Sequence, residues 1–113
     1  MGIQAFAQMG NTVAISVTNS ASSPAQVPSV TLGGNQYRII NSGNVTVFLG
    51  YAQTSAGATA NAVIPTGSGA NATFNLPLLA GTDEILSFAP NAYFSALTAA
   101  GTATIYITPG DGL

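Results

Sequence analysis

The side chains that could carry out acid–base chemistry in this chain are few and poorly placed to act together. The charged residues are Arg38, Asp83, Glu84 and Asp111, and the sequence has neither His nor Cys. Catalysis requires groups that transfer a proton, attack a substrate or bind a metal ion. Asp83 and Glu84 are adjacent at the start of a predicted strand, where consecutive side chains point to opposite faces. We therefore expect a protein that is not an enzyme and has no small-molecule substrate, cofactor or metal site.

The single cation also limits the possible partners. Arg38 is the only basic residue beside three acidic ones, and the formal net charge is −2. Because nucleic-acid binding depends on Lys and Arg neutralising phosphates, we exclude nucleic acid, and anionic membrane surfaces for the same reason. No stretch approaches the ~20 apolar residues of a membrane-spanning helix. The first residues lack the basic segment and apolar run of a secretory signal, so we expect synthesis in a cytoplasm.

The composition of the surface favours a structural role. Only 4% of the residues are charged, whereas a typical soluble domain is about one quarter charged. Small free proteins usually depend on interspersed charges to stay dispersed. A surface made of Thr, Ser, Asn, Gln, Gly and Ala is better suited to a subunit that lies against other protein in a large assembly.

Alternation of apolar and polar residues predicts an all-β fold. It is clearest over residues 12–18, 45–51 and 102–108. Turn residues separate the segments roughly every 8–12 positions, which is typical of a sandwich or barrel. We predict a single small antiparallel β-sandwich of about seven or eight short strands. The other predicted strands are residues 30–32, 36–41, 73–76 (ended by Pro77), 84–88 and 92–97.

Two local predictions concern the connections between these strands. Residues 42–44, Ser-Gly-Asn, are expected to join residues 36–41 and 45–51 into a hairpin, because Gly and Asn tolerate positive φ. No window supports a helix of three turns. The nearest candidate, residues 55–63, is rich in Ala but contains Gly57 and two β-branched residues.

Two features could make contacts with other molecules. The segment 54–71 is either a low-complexity connection or a contact loop in which Val63 and Ile64 dock on a neighbour. Arg38 shares a strand face with Ile40. Its guanidinium is solvated, paired with Asp83 or Glu84 of the same chain, or paired with a carboxylate of another subunit.

The aromatic residues also leave two alternatives open. Aromatic side chains contribute large buried areas, so those on predicted strands are expected in the core. Alternatively, three exposed tyrosines, Tyr51, Tyr93 and Tyr106, would form a platform suited to a sugar. The residues expected in the core are Phe48, Phe74, Phe88, Tyr93 and Phe94.

Several segments together resemble a known family. They read YRIINSG (37–43), VTVFLGY (45–51), LLAGTDEIL (78–86), APNAYF (89–94) and TIYITPG (104–110). Over roughly residues 12–110 the chain resembles the small head decoration, or cement, proteins of tailed bacteriophages. The resemblance implies a β-sandwich with a jelly-roll order rather than an immunoglobulin-like one. It also implies a non-enzymatic virion structural protein on the outer capsid surface, which stabilises the head by bridging adjacent major capsid protein subunits.

The resemblance further implies how the chain is organised and what it contacts. We expect an N-terminal arm (1–11), a β-sandwich domain (12–108) and a C-terminal tail (109–113), with the ends ordering on a partner by strand addition. The expected partners are the major capsid protein and neighbouring copies of this chain in a homo-oligomer. Alternatives are another phage structural module of the tail, neck or fibre, and a carbohydrate-binding or adhesin module. The predicted contact residues are Ile3, Phe6, Met9, Arg38, Val63, Ile64 and Leu113.

Overall fold

The computed structural model describes residues 6–28, 35–65 and 75–111, which contain nine strands and one short helix. The strands form two antiparallel sheets packed face to face, so the predicted small antiparallel β-sandwich is confirmed. The elements are β1 (Ala7–Gln8), β2 (Val13–Val17), β3 (Ala25–Gln26), β4 (Gln36–Asn41), β5 (Val47–Ala52), α1 (Ser55–Asn61), β6 (Leu76–Leu78), β7 (Asp83–Ser87), β8 (Tyr93–Thr98) and β9 (Ala103–Asp111).

The two sheets differ in which strands they combine. In sheet A, β9 pairs with β4 on one side and with β1 and β2, one after the other, on its other side, while β4 also pairs with β7. Sheet B has the order β3-β8-β5-β6. From β2 to β9, successive strands belong to alternate sheets, and the one exception is β5 and β6, which pair in sheet B.

The core lies between the sheets and is filled by every second residue of the central strands. Tyr37 and Phe94 meet across it with ring centroids 5.0 Å apart in an edge-to-face arrangement. This geometry suits the aromatic quadrupoles. The other large buried side chains are Ile39, Leu49, Leu78, Ile105, Ile107, Val17, Val27 and Val47.

The predicted aromatic core is correct in part. Phe94 is buried and Phe88 packs against the core, but Phe48 and Tyr93 lie on the outer face of sheet B. Their strands place buried residues at the neighbouring positions, and alternation directs these two rings outward. Phe74 lies outside the described residues.

The predicted hairpin through residues 42–44 is wrong, because β4 and β5 lie in different sheets. The buried Asn41 side chain stabilises the connection that crosses from sheet A to sheet B. Its Oδ1 accepts a hydrogen bond from the Gly43 amide, and its Nδ2 donates to the Val45 carbonyl. A Cβ at Gly43 would come closer than 3.0 Å to the Cβ of Ala103, so this crossing is packed tightly against the start of β9.

Part of the segment predicted as a loop is the helix α1. Thr54 is its N-cap, and the Thr54 hydroxyl accepts a hydrogen bond from the Gly57 amide at 3.1 Å. The helix packs on sheet B over Gly50, where a Cβ would come closer than 3.0 Å to backbone atoms of three residues of the α1 region. Packing supports this short helix, since helices of such length are unstable alone.

Strand boundaries also differ from the sequence-based predictions. Pro77 lies inside β6, opposite Phe48, which is possible because β6 is an edge strand of sheet B. Residues 109–111, assigned to a tail, continue β9, and Ala7 and Gln8 of the predicted arm pair with Asp111 and Gly110. The predicted strand at residues 30–32 lies outside the described residues.

Within the described ranges, no helix has the length and apolar character needed to cross a membrane.

Candidate contact surfaces

The outward-facing residues of sheet A form a surface that we call the outer face of sheet A. Strand register places its side chains in successive rows that run across β1 or β2, then β9, β4 and β7. The rows are Gln8, Gly110, Gln36 and Ser87; Thr12, Thr108, Arg38 and Ile85; Ala14, Tyr106, Ile40 and Asp83; and Ser16 with Thr104.

The two middle rows of this face combine apolar side chains with two charged ones, Arg38 and Asp83. Tyr106 is 39% exposed and Ile85 is 49% exposed, and Ile40, half-buried, lies opposite Tyr106. On the β2 side, the same rows contain Thr12 and Thr108, whose hydroxyls are hydrogen-bonded at 2.7 Å. Exposed aromatic and aliphatic side chains beside an Arg, bordered by uncharged polar groups, are typical of a protein–protein contact.

Arg38 and Asp83 form a bidentate ion pair on the same face. Arg38 Nε donates to Asp83 Oδ1 at 3.0 Å, and Nη2 donates to Oδ2 at 2.6 Å. Of the alternatives for Arg38, the intrachain pair with Asp83 is therefore the one observed. The hydrogen bond from Arg38 holds the pKa of Asp83 below its usual value, and the same bond raises the pKa of Arg38. Both side chains are about half exposed, so solvent screens the pair.

Phe6 covers one end of the outer face of sheet A. A Cβ at Gly110 would come closer than 3.0 Å to the Phe6 ring, which therefore lies against the glycine. The Met9 amide donates to the Pro109 carbonyl at 2.9 Å, which ties this segment to β9. Two predicted contact residues, Phe6 and Arg38, thus share one face. That they contact a partner stays a prediction.

A second surface lies at β6, the edge strand of sheet B among the described residues, and we call it the β6 edge. Leu79, directly after the strand, is 68% exposed, and Ile64 is 37% exposed. Ile64 is held close to the start of β6 because Asn75 Nδ2 donates to the Val63 carbonyl. Pro77, within β6, is also exposed. Val63 is half-buried, so of the two predicted loop contacts Ile64 is the more exposed.

These placements separate the predicted contact residues into groups. Arg38 lies in β4 of sheet A, and Phe6 and Met9 flank β1 of the same sheet, whereas Val63 and Ile64 follow α1. Ile3 and Leu113 lie outside the described residues.

Three residues that matter for these surfaces were not among the predicted contact residues. Tyr106 lies opposite Ile40 in the middle of the outer face of sheet A, Ile85 lies on its edge strand β7, and Leu79 follows β6. Alternation indicates that Tyr106 and Ile85 face outward from their own strands. Their position beside Ile40 depends on the register of β4 with β7 and β9, which alternation within a strand does not reveal.

The alternative of an exposed platform of three tyrosines is wrong. Tyr51 faces the core, where its ring meets Phe88 edge-to-face with centroids 4.9 Å apart. Tyr93 lies on the outer face of sheet B and Tyr106 on that of sheet A. Each of these three rings therefore belongs to a different layer of the sandwich.

The acidic residues do not assemble a site either. Asp83 and Glu84 lie opposite Ile40 and Ile39, respectively, and so point to opposite faces of sheet A, as predicted. Over the described ranges, no group of three His, Cys, Asp or Glu residues could hold a metal ion.

Comparison with known proteins identifies no matching family model, no matching curated protein and no matching solved structure.

Proposed function

We propose that this chain is a non-enzymatic virion structural protein that decorates the outer surface of a phage capsid and bridges adjacent major capsid protein subunits. The observation that carries the proposal is the distribution of exposed apolar side chains. In the described part of the chain, the large exposed hydrophobic residues fall on two separate surfaces: Ile85 and Tyr106 on the outer face of sheet A, and Ile64 and Leu79 at the β6 edge. A bridging protein needs two such surfaces, because each must contact a different molecule, either a capsid protein subunit or a second copy of this chain that itself contacts the capsid.

The scarcity of charge supports the same role. The sequence has a single Lys or Arg, Arg38, whose partner is Asp83, and the formal net charge is −2. Surfaces with few charges lose little hydration energy when they are buried against protein. They are also poorly protected against association in solution.

We propose a jelly-roll connectivity for the sandwich, as the resemblance implies. Its support is the strand order, since an immunoglobulin-like sandwich pairs several consecutive strands within one sheet. Here β5 and β6 are the consecutive strands that pair with each other, and the remaining connections from β2 to β9 cross between sheets. Eight strands connected across two sheets in this manner are typical of a double-sheet jelly roll.

The proposed stabilisation follows from mass action. A protein that binds the assembled shell and not its dissociated subunits stabilises the shell by RT ln(1 + [L]/Kd) per site. At a free concentration one hundred times Kd, the gain is about 2.7 kcal/mol per site. A capsid offers many equivalent sites, so even a modest affinity produces a large total effect.

The distribution of aromatic rings argues against the carbohydrate-binding alternative. A sugar-binding module displays several aromatic residues on one exposed face. Among the described residues, Tyr37 and Phe94 are buried, and Tyr51 and Phe88 pack against the core. Phe48 and Tyr93, on the outer face of sheet B, are half-buried, and Tyr106, 39% exposed, lies on the outer face of the other sheet.

The test is a binding experiment with capsids that lack this chain. Purified protein is added to such capsids, the particles are sedimented, and the bound amount and the temperature of capsid disruption are measured. We expect saturable co-sedimentation at a fixed stoichiometry and a higher disruption temperature. Absence of binding to every capsid form would overturn the proposal and favour a tail, neck or fibre component.

A paired variant locates the contact. The double substitution Ile64→Ser with Leu79→Ser removes the exposed apolar groups of the β6 edge, and we expect it to weaken capsid binding while the far-UV circular dichroism is unchanged. Ala80→Ser is the matched control, because Ala80 is exposed in the same turn as Leu79. Equal binding by the double variant and the control would remove the β6 edge from the proposal.

A further inference from the structure

We propose that the outer face of sheet A binds the same face of a second copy of this chain, in a two-fold symmetric dimer. This inference depends on the arrangement of sheet A and does not require the capsid role. The two middle rows of this face contain the exposed apolar residues Tyr106 and Ile85, the half-buried Ile40 and the Arg38–Asp83 pair.

The charges of this face are complementary to themselves. In a two-fold symmetric dimer, every contact between two different residues occurs twice. If residue i of one copy contacts residue j of the other copy, then residue j of the first copy contacts residue i of the other. Arg38 and Asp83 are neighbours, so Arg38 of one copy can approach Asp83 of the second copy, and the reverse, on both sides of the axis. A partner surface of one charge sign would instead place a like charge against either Arg38 or Asp83.

The pair can form this second contact without losing the first. The intrachain bonds use the Nε and Nη2 groups of Arg38. A guanidinium has five N–H donors, so Nη1 still has hydrogens to donate. A carboxylate accepts several hydrogen bonds, and Asp83 is about half exposed. Four charges would then form one network across the axis.

The neighbouring residues have the character of a contact between copies. Tyr and Arg are the residue types enriched where binding energy concentrates, and here they are adjacent in the middle rows. Thr, Ser and Gln side chains surround them, with no further charge in the rows. Since the formal net charge is −2, long-range repulsion between two copies is weak.

The test uses charge reversal in the isolated protein, with association measured by sedimentation equilibrium. We expect the wild-type chain to dimerise, and Arg38→Asp and Asp83→Arg each to weaken self-association by roughly tenfold or more, because like charges then face one another across the axis. An equimolar mixture of the two variants should restore a dimer, since the acidic face of one then meets the basic face of the other. If the Arg38–Asp83 pair acted only within one chain, mixing the two variants would not restore dimerisation.

Glu84→Arg is the matched control. It makes the same change of charge one residue from Asp83, but Glu84 points to the opposite face of sheet A. We expect this variant to dimerise like the wild type. Circular dichroism and thermal unfolding of each variant verify that it is folded.

Three outcomes would overturn the inference: a monomeric wild-type chain, unchanged association of both reversal variants, or no recovery in the mixture. A monomer that still binds capsids would leave the proposed function standing. A dimer that binds no capsid would support the inference and overturn the proposed function.

Discussion

The buried hydroxyl of Tyr37 donates a 2.6 Å hydrogen bond to the carbonyl oxygen of Ala89, in the connection between β7 and β8. The same hydroxyl accepts a hydrogen bond from the Ala92 amide at 3.1 Å. One side chain of sheet A thus holds the turn through which the chain passes from sheet A to sheet B. Asn91, between these partners, has φ = 60°, a left-handed conformation that Asn tolerates better than most residues.

Replacing Tyr37 with Phe should destabilise the fold. The ring and its contact with Phe94 are retained, but Ala89 and Ala92 lose a hydrogen-bond partner near the core. We expect a loss of about 1–3 kcal/mol in the free energy of unfolding, measured by urea denaturation. Tyr106→Phe removes a hydroxyl from an exposed ring and should change stability by less than about 0.5 kcal/mol. Equal effects of the two substitutions would contradict this account.

The same tyrosine should make stability depend on alkaline pH. Burial raises the pKa of Tyr37, and the Ala92 hydrogen bond opposes this in part. Because the folded pKa exceeds the unfolded value of about 10, the contribution is fully present below pH ~10 and is lost as pH rises through the folded pKa. The measurement is the free energy of unfolding of the wild type and Tyr37→Phe from about pH 8 to 12. Parallel curves for the two proteins would refute the assignment to Tyr37.

At acidic pH, the Arg38–Asp83 pair should make a small contribution to the free energy of unfolding. Unlike the contribution of Tyr37, it is lost as the pH falls. The hydrogen bond from Arg38 lowers the pKa of Asp83 below its unfolded value of about 3.9. Its contribution to stability is therefore present above that pH and is lost as pH falls through the folded pKa. Asp83→Asn should reduce this acid dependence, and Glu84→Gln, on the other side of the strand, is the control. Added salt should diminish the difference, because the pair is exposed.

Asn41 should be among the most sensitive polar positions in the chain. Its side chain is fully buried, and Nδ2 reaches the carbonyls of Val45, Leu78 and Leu79 at 2.9–3.2 Å. Asn41→Ala leaves these groups without their partner, and we expect a loss of about 2–4 kcal/mol. Thermal unfolding measures it, with Asn44→Ala as the control because Asn44 is exposed. A loss no larger than that of the control would show that other groups satisfy these carbonyls.

Two glycines should respond to alanine for different reasons. At Gly50 an added Cβ would meet the backbone of α1, so Gly50→Ala should displace the helix and cost about 2–4 kcal/mol. Gly81 has open space but φ = 74°, so Gly81→Ala should cost about 1–2 kcal/mol of conformational strain. Amide chemical shifts distinguish steric displacement from local backbone strain, since only Gly50→Ala should perturb residues of α1. Unchanged α1 shifts in Gly50→Ala would contradict the packing described for Gly50.

The sequence alone was sufficient to predict the fold class and several local features. Period-two alternation from Val13 to Val17 and in β9 placed the strands, because the pleat sends consecutive side chains to opposite faces. The same rule correctly separated Asp83 from Glu84. Because Arg38 is the single Lys or Arg of the sequence, the possible partners for an ion pair within the chain were also few.

Tertiary structure decided which strands meet and what lies on each face. The turn residues 42–44 are compatible with a hairpin, but the crossing depends on contacts of Asn41 with Leu78 and Leu79, distant in the chain. The helix α1 depends on the missing side chain of Gly50. The assignment of Tyr51 and Tyr93 to one sheet and of Tyr106 to the other depends on which strands pair. Local sequence specifies the conformation of a short segment, whereas pairing and packing are chosen by the free energy of burying segments against one another.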